Sequence, residues 1–280
     1  MINQSSNFFS AAWLNQHLDN PNLVILDATM KKTPGGKPVV QPLVTIPGAK
    51  VFNFDTEICD QKTDLPHMLP TSEQFEQYAR KLGINKQSTV VVYDAMGIFS
   101  SPRAWWMFKV MGHENVFVLD GGLIKWIETE YRTDTGYTPI VCEGDFCSNH
   151  KPEKVFSAKT VLDNLTNDKI QILDARSKVR FYAEEPEPRK GLKGGHIPGS
   201  TCLPFSKLLI HGHFKNKLEL TSIFESVIKQ GTKQLLFTCG SGVTACILAL
   251  AADECGYTDY VVYDGSWSEW GSSDFLPAEI

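Results

Sequence analysis

The sequence predicts an α/β protein of two tandem domains, each a parallel sheet flanked by helices, and three observations carry that prediction. Short apolar runs rich in β-branched residues alternate with helical stretches along the 280 residues, the order that parallel sheets require. Landmarks of the first half recur in the second. Leu26-Asp27-Ala28 matches Leu173-Asp174-Ala175, and Ile46-Pro47-Gly48-Ala49 matches Ile197-Pro198-Gly199-Ser200. Asp120-Gly121-Gly122 with Trp126 likewise matches Asp264-Gly265-Ser266 with Trp270. The spacing between copies drifts by a few residues, as loop insertions produce, and two copies are too few for a solenoid. The third observation is size: this length suits one large domain or two ordinary ones, and an apolar fraction of 42% can fill their cores.

In the first half, Ser10 is placed to cap a short amphipathic helix reaching about Leu18, and Asn22–Leu26 reads as a strand. Thr33–Pro47 is a Pro/Gly-rich loop, followed by Ala49–Phe54 as a short strand and by an irregular polar segment to Pro70. Ser72–Leu82 predicts a helix: Ser72 can cap it, Phe75, Tyr78, Ala79 and Leu82 share a face, and Gly83 stops it. Thr89–Tyr93 is a strand, Pro102–Met111 a helix closed by Gly112, and Val116–Leu119 a further strand. The stretch from Tyr131 to Lys154 is polar and aperiodic, which places the first domain at 1–135, a linker at 136–154 and the second domain at 155–280. The second half then offers a helix at Val155–Leu165 and strands at Ile170–Leu173, Gln234–Thr238 and Tyr260–Tyr263. Val243–Cys255, rich in Ala and Leu and ended by Gly256, reads as a buried helix.

Composition removes several classes of function. A net charge of −5 offers no basic stripe for phosphates and argues against nucleic-acid partners. The longest apolar run, Ala245–Ala252, is too short to span a bilayer, so no membrane role is expected. No Lys or Arg precedes Lys31, so the start lacks the charged region of a secretory signal. Seven cysteines without CxxC or Cys/His ligand spacing fit a reduced cytoplasmic protein, with no disulfide framework and no metal site expected.

The chemistry points to Cys239. It stands on Cys239-Gly240-Ser241-Gly242, where a buried strand feeds a buried helix, so backbone N–H groups and the positive end of the helix dipole face the sulfur. That setting favours a thiolate nucleophile, and the flanking glycines clear space around it. The bland alternative is an inert core thiol. The duplication supplies an internal comparison, because Val91-Val92-Tyr93-Asp94 occupies the place of Leu236-Phe237-Thr238-Cys239. The first copy carries a carboxylate where the second carries its thiol, and only the second half can do sulfur chemistry there.

These motifs together resemble the rhodanese superfamily, and within it the two-domain 3-mercaptopyruvate sulfurtransferases. The resemblance covers nearly the whole chain. Its carriers are the Cys239–Ala245 loop, Gly195-His-Ile-Pro-Gly199, Tyr263-Asp-Gly-Ser-Trp-Ser-Glu-Trp270, Arg180-Phe-Tyr-Ala-Glu184, Glu187-Pro-Arg189 and His67-Met-Leu-Pro70. It implies two rhodanese-like domains, no cofactor, and a persulfide on Cys239. The sulfur of 3-mercaptopyruvate would pass to a thiol such as thioredoxin or glutathione, or to cyanide. The resemblance places substrate binding on Arg180 and Arg189, with the loop positions Gly240, Gly242, Val243 and Thr244. It also implies a relay of Ser241, His67 and Asp55 beside the cysteine. From the residues alone, the arginines also read as solvated loop charges, and His67 as a locally bonded loop histidine. His196 reads as structural. Thr45 departs from the pattern, since it stands where family members carry His. Three rival functions are a thiosulfate sulfurtransferase, a Cys-x5-Arg phosphatase and a non-catalytic regulatory module. The phosphatase needs Arg where this chain has Ala245.

Overall fold

The computed structural model describes residues 6–33, 36–40 and 43–280, so part of the predicted loop at 33–47 lies outside the described residues. The first half runs β1 (Phe8–Phe9), α1 (Ala11–Gln16), β2 (Leu23–Asp27), β3 (Lys50–Val51), α2 (Ser72–Lys81), β4 (Thr89–Tyr93), α3 (Ser101–Val110), β5 (Val116–Leu119) and α4 (Gly122–Glu128). The second opens with β6 (Val155–Phe156), α5 (Ala158–Asp163), β7 (Ile170–Asp174), α6 (Lys178–Phe181) and β8 (Thr201–Cys202). After a small antiparallel hairpin, β9 (Leu209–Ile210) with β10 (His213–Phe214), come α7 (Lys217–Val227), β11 (Gln234–Thr238), α8 (Ala245–Glu254), β12 (Tyr260–Tyr263) and α9 (Ser266–Trp270).

Two five-stranded, all-parallel sheets result, in the orders β1-β5-β4-β2-β3 and β6-β12-β11-β7-β8. Position for position these are one topology used twice, so the repeated motifs reflect repeated structure. The central strands β4 and β11 are buried almost throughout, as runs covered by helices on both faces must be. Both copies also return their tail to the Pro-Gly turn in the same way: Thr45 N–H donates to Asp134 O, and His196 N–H to Glu279 O. Thr45 therefore fits its place through backbone bonds, and its hydroxyl donates to Gly136 O at 2.9 Å.

Several boundaries differ from the sequence reading for local reasons. Val155 and Phe156 do not begin a helix; they pair with Val262 and Tyr263 as an edge strand, and Ser157 then caps α5. Of Ala49–Phe54 only Lys50–Val51 is strand, because β3 meets β2 at two residues. The capping residue of α2 is Thr71, in a reciprocal box with Gln74, and Ser72 is the first helical residue. α8 begins at Ala245, since Gly242 takes a positive φ. The segment after Tyr131 is tied to the first unit: Phe146 is buried against Phe75 and Phe108, while Asn149 and Lys151 donate to Met111 O and Val110 O.

α3 and α8 pack on each other, and one apolar cluster runs through both units, from Val92 and Trp106 to Leu248 and Val262. These are the helices that follow the two equivalent loops. Their contact brings the Asp94 and Cys239 loops to one junction.

Candidate active site

Cys239 directly follows β11 and is buried, with 2% exposure. The turn that follows is held from below by the β12–α9 segment. Trp267 N–H donates to Cys239 O at 2.9 Å, and Ser268 N–H and hydroxyl donate to Gly240 O at 2.8 and 2.6 Å. Ser266 adopts φ 49°, a conformation that an L side chain visits at a cost, and functional sites are where such cost is tolerated. Its hydroxyl accepts from Cys239 N–H (3.2 Å) and Gly242 N–H (3.1 Å) and donates to Tyr263 O (2.8 Å). Gly242 is thus not among the free donors of the loop. The amides of Gly240, Ser241, Val243 and Thr244 meet no backbone or side-chain acceptor among the described residues, and remain available to an anion.

A cleft of about 490 Å³ opens on this loop, lined by Cys239, Gly240, Ser241, Val243 and Thr244 on one side and by Arg176, Arg180, Met96, Phe99 and Phe205 on others. Its walls come from both halves of the chain. Arg180 lies against Gly240, so close that a Cβ there would stand 2.9 Å from Nη2. Arg180 is not a free loop charge: Nε and Nη2 donate to Glu187 at 3.2 and 2.5 Å, and Nη1 meets no acceptor among the described residues. Glu187 also accepts from Arg176 Nη1 at 2.8 Å, and Arg176 Nη2 reaches Asp174 at 2.7 Å. Arg176 itself is fully buried, over the ring of Trp267.

Arg189 stands next along the wall, its Nη2 at 3.3 Å from His67 Nε2. Burial works against its charge, while the Cys239 sulfur works for it. On the other side of the ring, His67 Nδ1 lies 3.0 Å from Asp55 Oδ1. With Nε2 facing a guanidinium, which only donates, the imidazole proton belongs on Nδ1, toward Asp55. Burial first, and then Arg103 and Arg189 against the opposing pull of Asp55, hold the His67 pKa below its ordinary value. The ring is neutral, and His67 takes φ 65°.

One side chain joins these parts. Arg103 of α3 is completely buried, with Nη1 at 2.6 Å from Asp264 Oδ1 and 3.3 Å from Gly242 O. Its Nη2 donates to His67 O. Asp264 Oδ2 in turn accepts from Leu69 N–H at 2.8 Å. The His67 turn and the cysteine loop are therefore fixed to the same ion pair.

The first copy shows what its loop does with a carboxylate. Asp94 is wholly buried, and Oδ2 accepts from the amides of Phe99, Ser100 and Ser101 at 2.9–3.0 Å and from the Ser101 hydroxyl at 2.7 Å. Oδ1 accepts from Met96 N–H at 2.9 Å. An internal anion fills the cradle that the second copy leaves open before its thiol. Gly122, with φ 53°, takes the place of Ser266, where a Cβ would meet Asp94 O at 2.4 Å.

The structure thus brings Cys239, Ser241, Gly240, Val243, Thr244 and Arg180 to one cleft, with Arg189, His67 and Asp55 on the adjoining wall. No hydrogen bond joins His67 to Ser241 among the described residues; the partner of Nε2 is Arg189. Sequence reasoning missed Arg103, Arg176, Glu187 and Asp264 as parts of the site, and the hydroxyl role of Ser266. A charge at the head of the apolar run Ala104-Trp105-Trp106-Met107 was a signal for Arg103, and the repeated Asp264-Gly265-Ser266 a signal for the support beneath the loop.

Comparison with known proteins agrees with this geometry. The rhodanese-like domain model matches twice, at residues 10–129 and 157–273. A protein of Escherichia coli strain K12 named 3-mercaptopyruvate sulfurtransferase is 40% identical over 97% of both chains. An Arabidopsis thaliana protein named thiosulfate/3-mercaptopyruvate sulfurtransferase 1, mitochondrial, is 39% identical over 99% of this chain and 79% of its own. Among solved structures, SseA from Escherichia coli, described as a 3-mercaptopyruvate sulfotransferase, superposes with a TM-score of 0.84 at 36% identity, covering 94% of this chain and 99% of that one. With both halves matched and the loop geometry repeated in each sheet, this chain belongs to the rhodanese-like family as a tandem pair of its domains.

Proposed function

We propose that the chain is a sulfurtransferase that takes sulfur from 3-mercaptopyruvate through a persulfide on Cys239. The observation that carries this reading is the buried thiol at a loop with four unengaged amides, facing a cleft whose wall is built of arginines. The Cys239 thiolate attacks the substrate's sulfur. The carbon–sulfur bond breaks, its electron pair goes to carbon, and the enolate that forms takes a proton to leave as pyruvate. The outer persulfide sulfur is then attacked by an acceptor thiolate, which leaves as its own persulfide, or by cyanide, which leaves as thiocyanate; either restores Cys239. Dividing one transfer into two displacements at a soft nucleophile is covalent catalysis. The loop amides of Gly240, Ser241, Val243 and Thr244 stabilise the sulfur anion, and in the first copy amides of the matching loop, at Met96, Phe99 and Ser100, hold the Asp94 carboxylate. Arg189 and Nη1 of Arg180 hold the substrate's carboxylate and keto oxygen.

In this reading the first domain, 1–135, is catalytically silent because its loop is filled by Asp94; 136–154 connects it to the catalytic domain, 155–280. Asp55 and His67 orient Arg189, a role favoured over proton transfer at Ser241 by the Arg189–His67 contact. The acceptor is a thiol such as thioredoxin or glutathione, or cyanide. No helix among the described residues is long and apolar enough to cross a membrane. A cytoplasmic setting suits the seven unpaired cysteines. Thiosulfate is the competing sulfur donor.

The test is an assay of pyruvate and sulfide release from 3-mercaptopyruvate, beside thiosulfate and a phosphate ester, with intact-mass analysis of the protein. One sulfur added at Cys239 is expected. Its appearance on Cys59 or Cys246, or turnover of the phosphate ester alone, would sink the reading.

A further inference from the structure

We propose that Glu187 determines donor specificity, by setting the charge of the cleft to suit a donor with one negative charge; this rests on the sulfurtransferase reading above. Glu187 is a carboxylate with 2% of its side chain exposed, placed between two guanidinium groups that line the cleft with Cys239. It takes two of the Arg180 donors and one Arg176 donor, so the substrate meets these arginines already partly neutralised.

The local charge can be followed group by group. Arg176, Arg180 and Arg189 contribute three positive charges, and Asp174, Glu187 and Asp55 three negative ones, so the wall brings no surplus of positive charge. Arg103 and Asp264 cancel each other beneath the loop. His67 is neutral beside Asp55, whose carboxyl the His67 contact keeps below its usual range against the opposing effect of burial. Lys37 is exposed to solvent, where screening weakens it. With no surplus of positive charge on the wall, a donor with a single carboxylate such as 3-mercaptopyruvate meets less repulsion beside the thiolate than a dianion does. A dianion such as thiosulfate adds a second unbalanced negative charge there, beside the thiolate. Removing the charge of Glu187 adds one positive charge and, with an amide oxygen kept at Oε1, releases the Arg180 Nη2 donor into the cleft.

The test compares Glu187→Gln, which keeps shape and loses charge, with Glu187→Asp, which keeps charge. For Glu187→Gln the kcat/KM ratio of thiosulfate to 3-mercaptopyruvate rises about tenfold or more, the scale of one added charge a few ångströms away at the effective dielectric of such a site. Glu187→Asp stays within about threefold of wild type by the same reasoning. A second readout is the pH profile of Cys239 alkylation by iodoacetamide. It moves to lower pH in Glu187→Gln, because a more positive surrounding favours the thiolate, whereas mere loosening of the fold would not move it that way. An unchanged ratio in a folded Glu187→Gln enzyme overturns the proposal, as does an equal change in Glu187→Asp. If wild type does not turn over 3-mercaptopyruvate, the functional reading fails, and the alkylation profile alone judges Glu187. If Glu187→Gln does not fold, protection of wild-type Cys239 from alkylation decides. Pyruvate protecting at lower concentration than sulfate supports the proposal, and the reverse order overturns it.

Discussion

Arg103 and Asp264 form a fully buried ion pair at 2.6 Å between helix α3 of the first unit and the turn after β12 of the second. The same guanidinium reaches Gly242 O in the cysteine loop and His67 O in the facing turn, and lies 4.6 Å from the ring of Trp106. Removing one partner strands the other charge without water. Arg103→Met is expected to cost about 3–5 kcal/mol in urea unfolding, and to lower turnover by loosening the loop. A cost below about 1 kcal/mol would show that water or a rearranged side chain satisfies Asp264, and that the pair does not lock the junction.

That pair also marks where the sequence stops being legible. Cys239 could be found because a strand, a glycine turn and an apolar helix are written in consecutive residues, and Asp94 because the repeat aligns it. Arg103 and Asp264 lie far apart in the chain, and a sequence shows that each is charged, not that they meet. Glu187 was visible only as a neighbour of Arg189; its bond to Arg176 depends on how the loop before Gly195 folds back over β7. Two-residue strands such as β1 and β6 are too short to show an alternating period, so Val155–Phe156 merged with the helix beyond it.

Asp94→Asn tests the silence of the first domain. Five donors converge on the Asp94 carboxylate, and an amide would turn its NH₂ toward some of them. Stability should fall by about 1–3 kcal/mol, the cost of buried donors left unsatisfied. Sulfur transfer should persist at a substantial fraction of wild type once the protein is folded. Activity as low as that of Cys239→Ser would give Asp94 a chemical role.

His67 gives the site a defined pH dependence of stability. Its pKa in the fold lies below the ordinary 6.5, so the unfolded chain binds the proton more readily. The contribution is fully present above pH 6.5 and diminishes as pH falls below it, and the lowered pKa of Asp55 acts in the same sense at lower pH. His113, also lowered by burial, has the same sign, so the comparison must be differential. The urea midpoint of wild type should drop more between pH 7 and about 5 than that of His67→Gln. Parallel curves would mean that His67 charges in place. The same variant separates two roles: a rise in KM with kcat held follows from losing the orientation of Arg189, whereas a fall in kcat of about a hundredfold marks a proton-transfer role.

Substrate choice follows from what surrounds the sulfur. The loop from Gly240 to Thr244 carries no charged side chain, so nothing beside the thiolate balances a second negative charge on the donor. The available cations stand along the wall, at Arg180 and Arg189, where they can hold a carboxylate set back from the reacting sulfur. A clear preference for 3-mercaptopyruvate over thiosulfate in kcat/KM is expected. Arg189→Gly should cost roughly 1.5–3 kcal/mol in that parameter, the worth of a charge-assisted hydrogen bond. Arg180→Gly should cost as much and also free Glu187, a buried carboxylate that then repels the substrate. Gly240→Ala isolates the position of Arg180 from its charge, because the added methyl would stand 2.9 Å from Nη2 and push the guanidinium aside. Its expected effect is a higher KM for 3-mercaptopyruvate with little change in unfolding midpoint. If thiosulfate is turned over as well as 3-mercaptopyruvate, the charge argument fails even with the persulfide on Cys239 intact. An unchanged KM in Gly240→Ala would instead remove Arg180 from substrate binding and leave Arg189 as the group that holds the carboxylate.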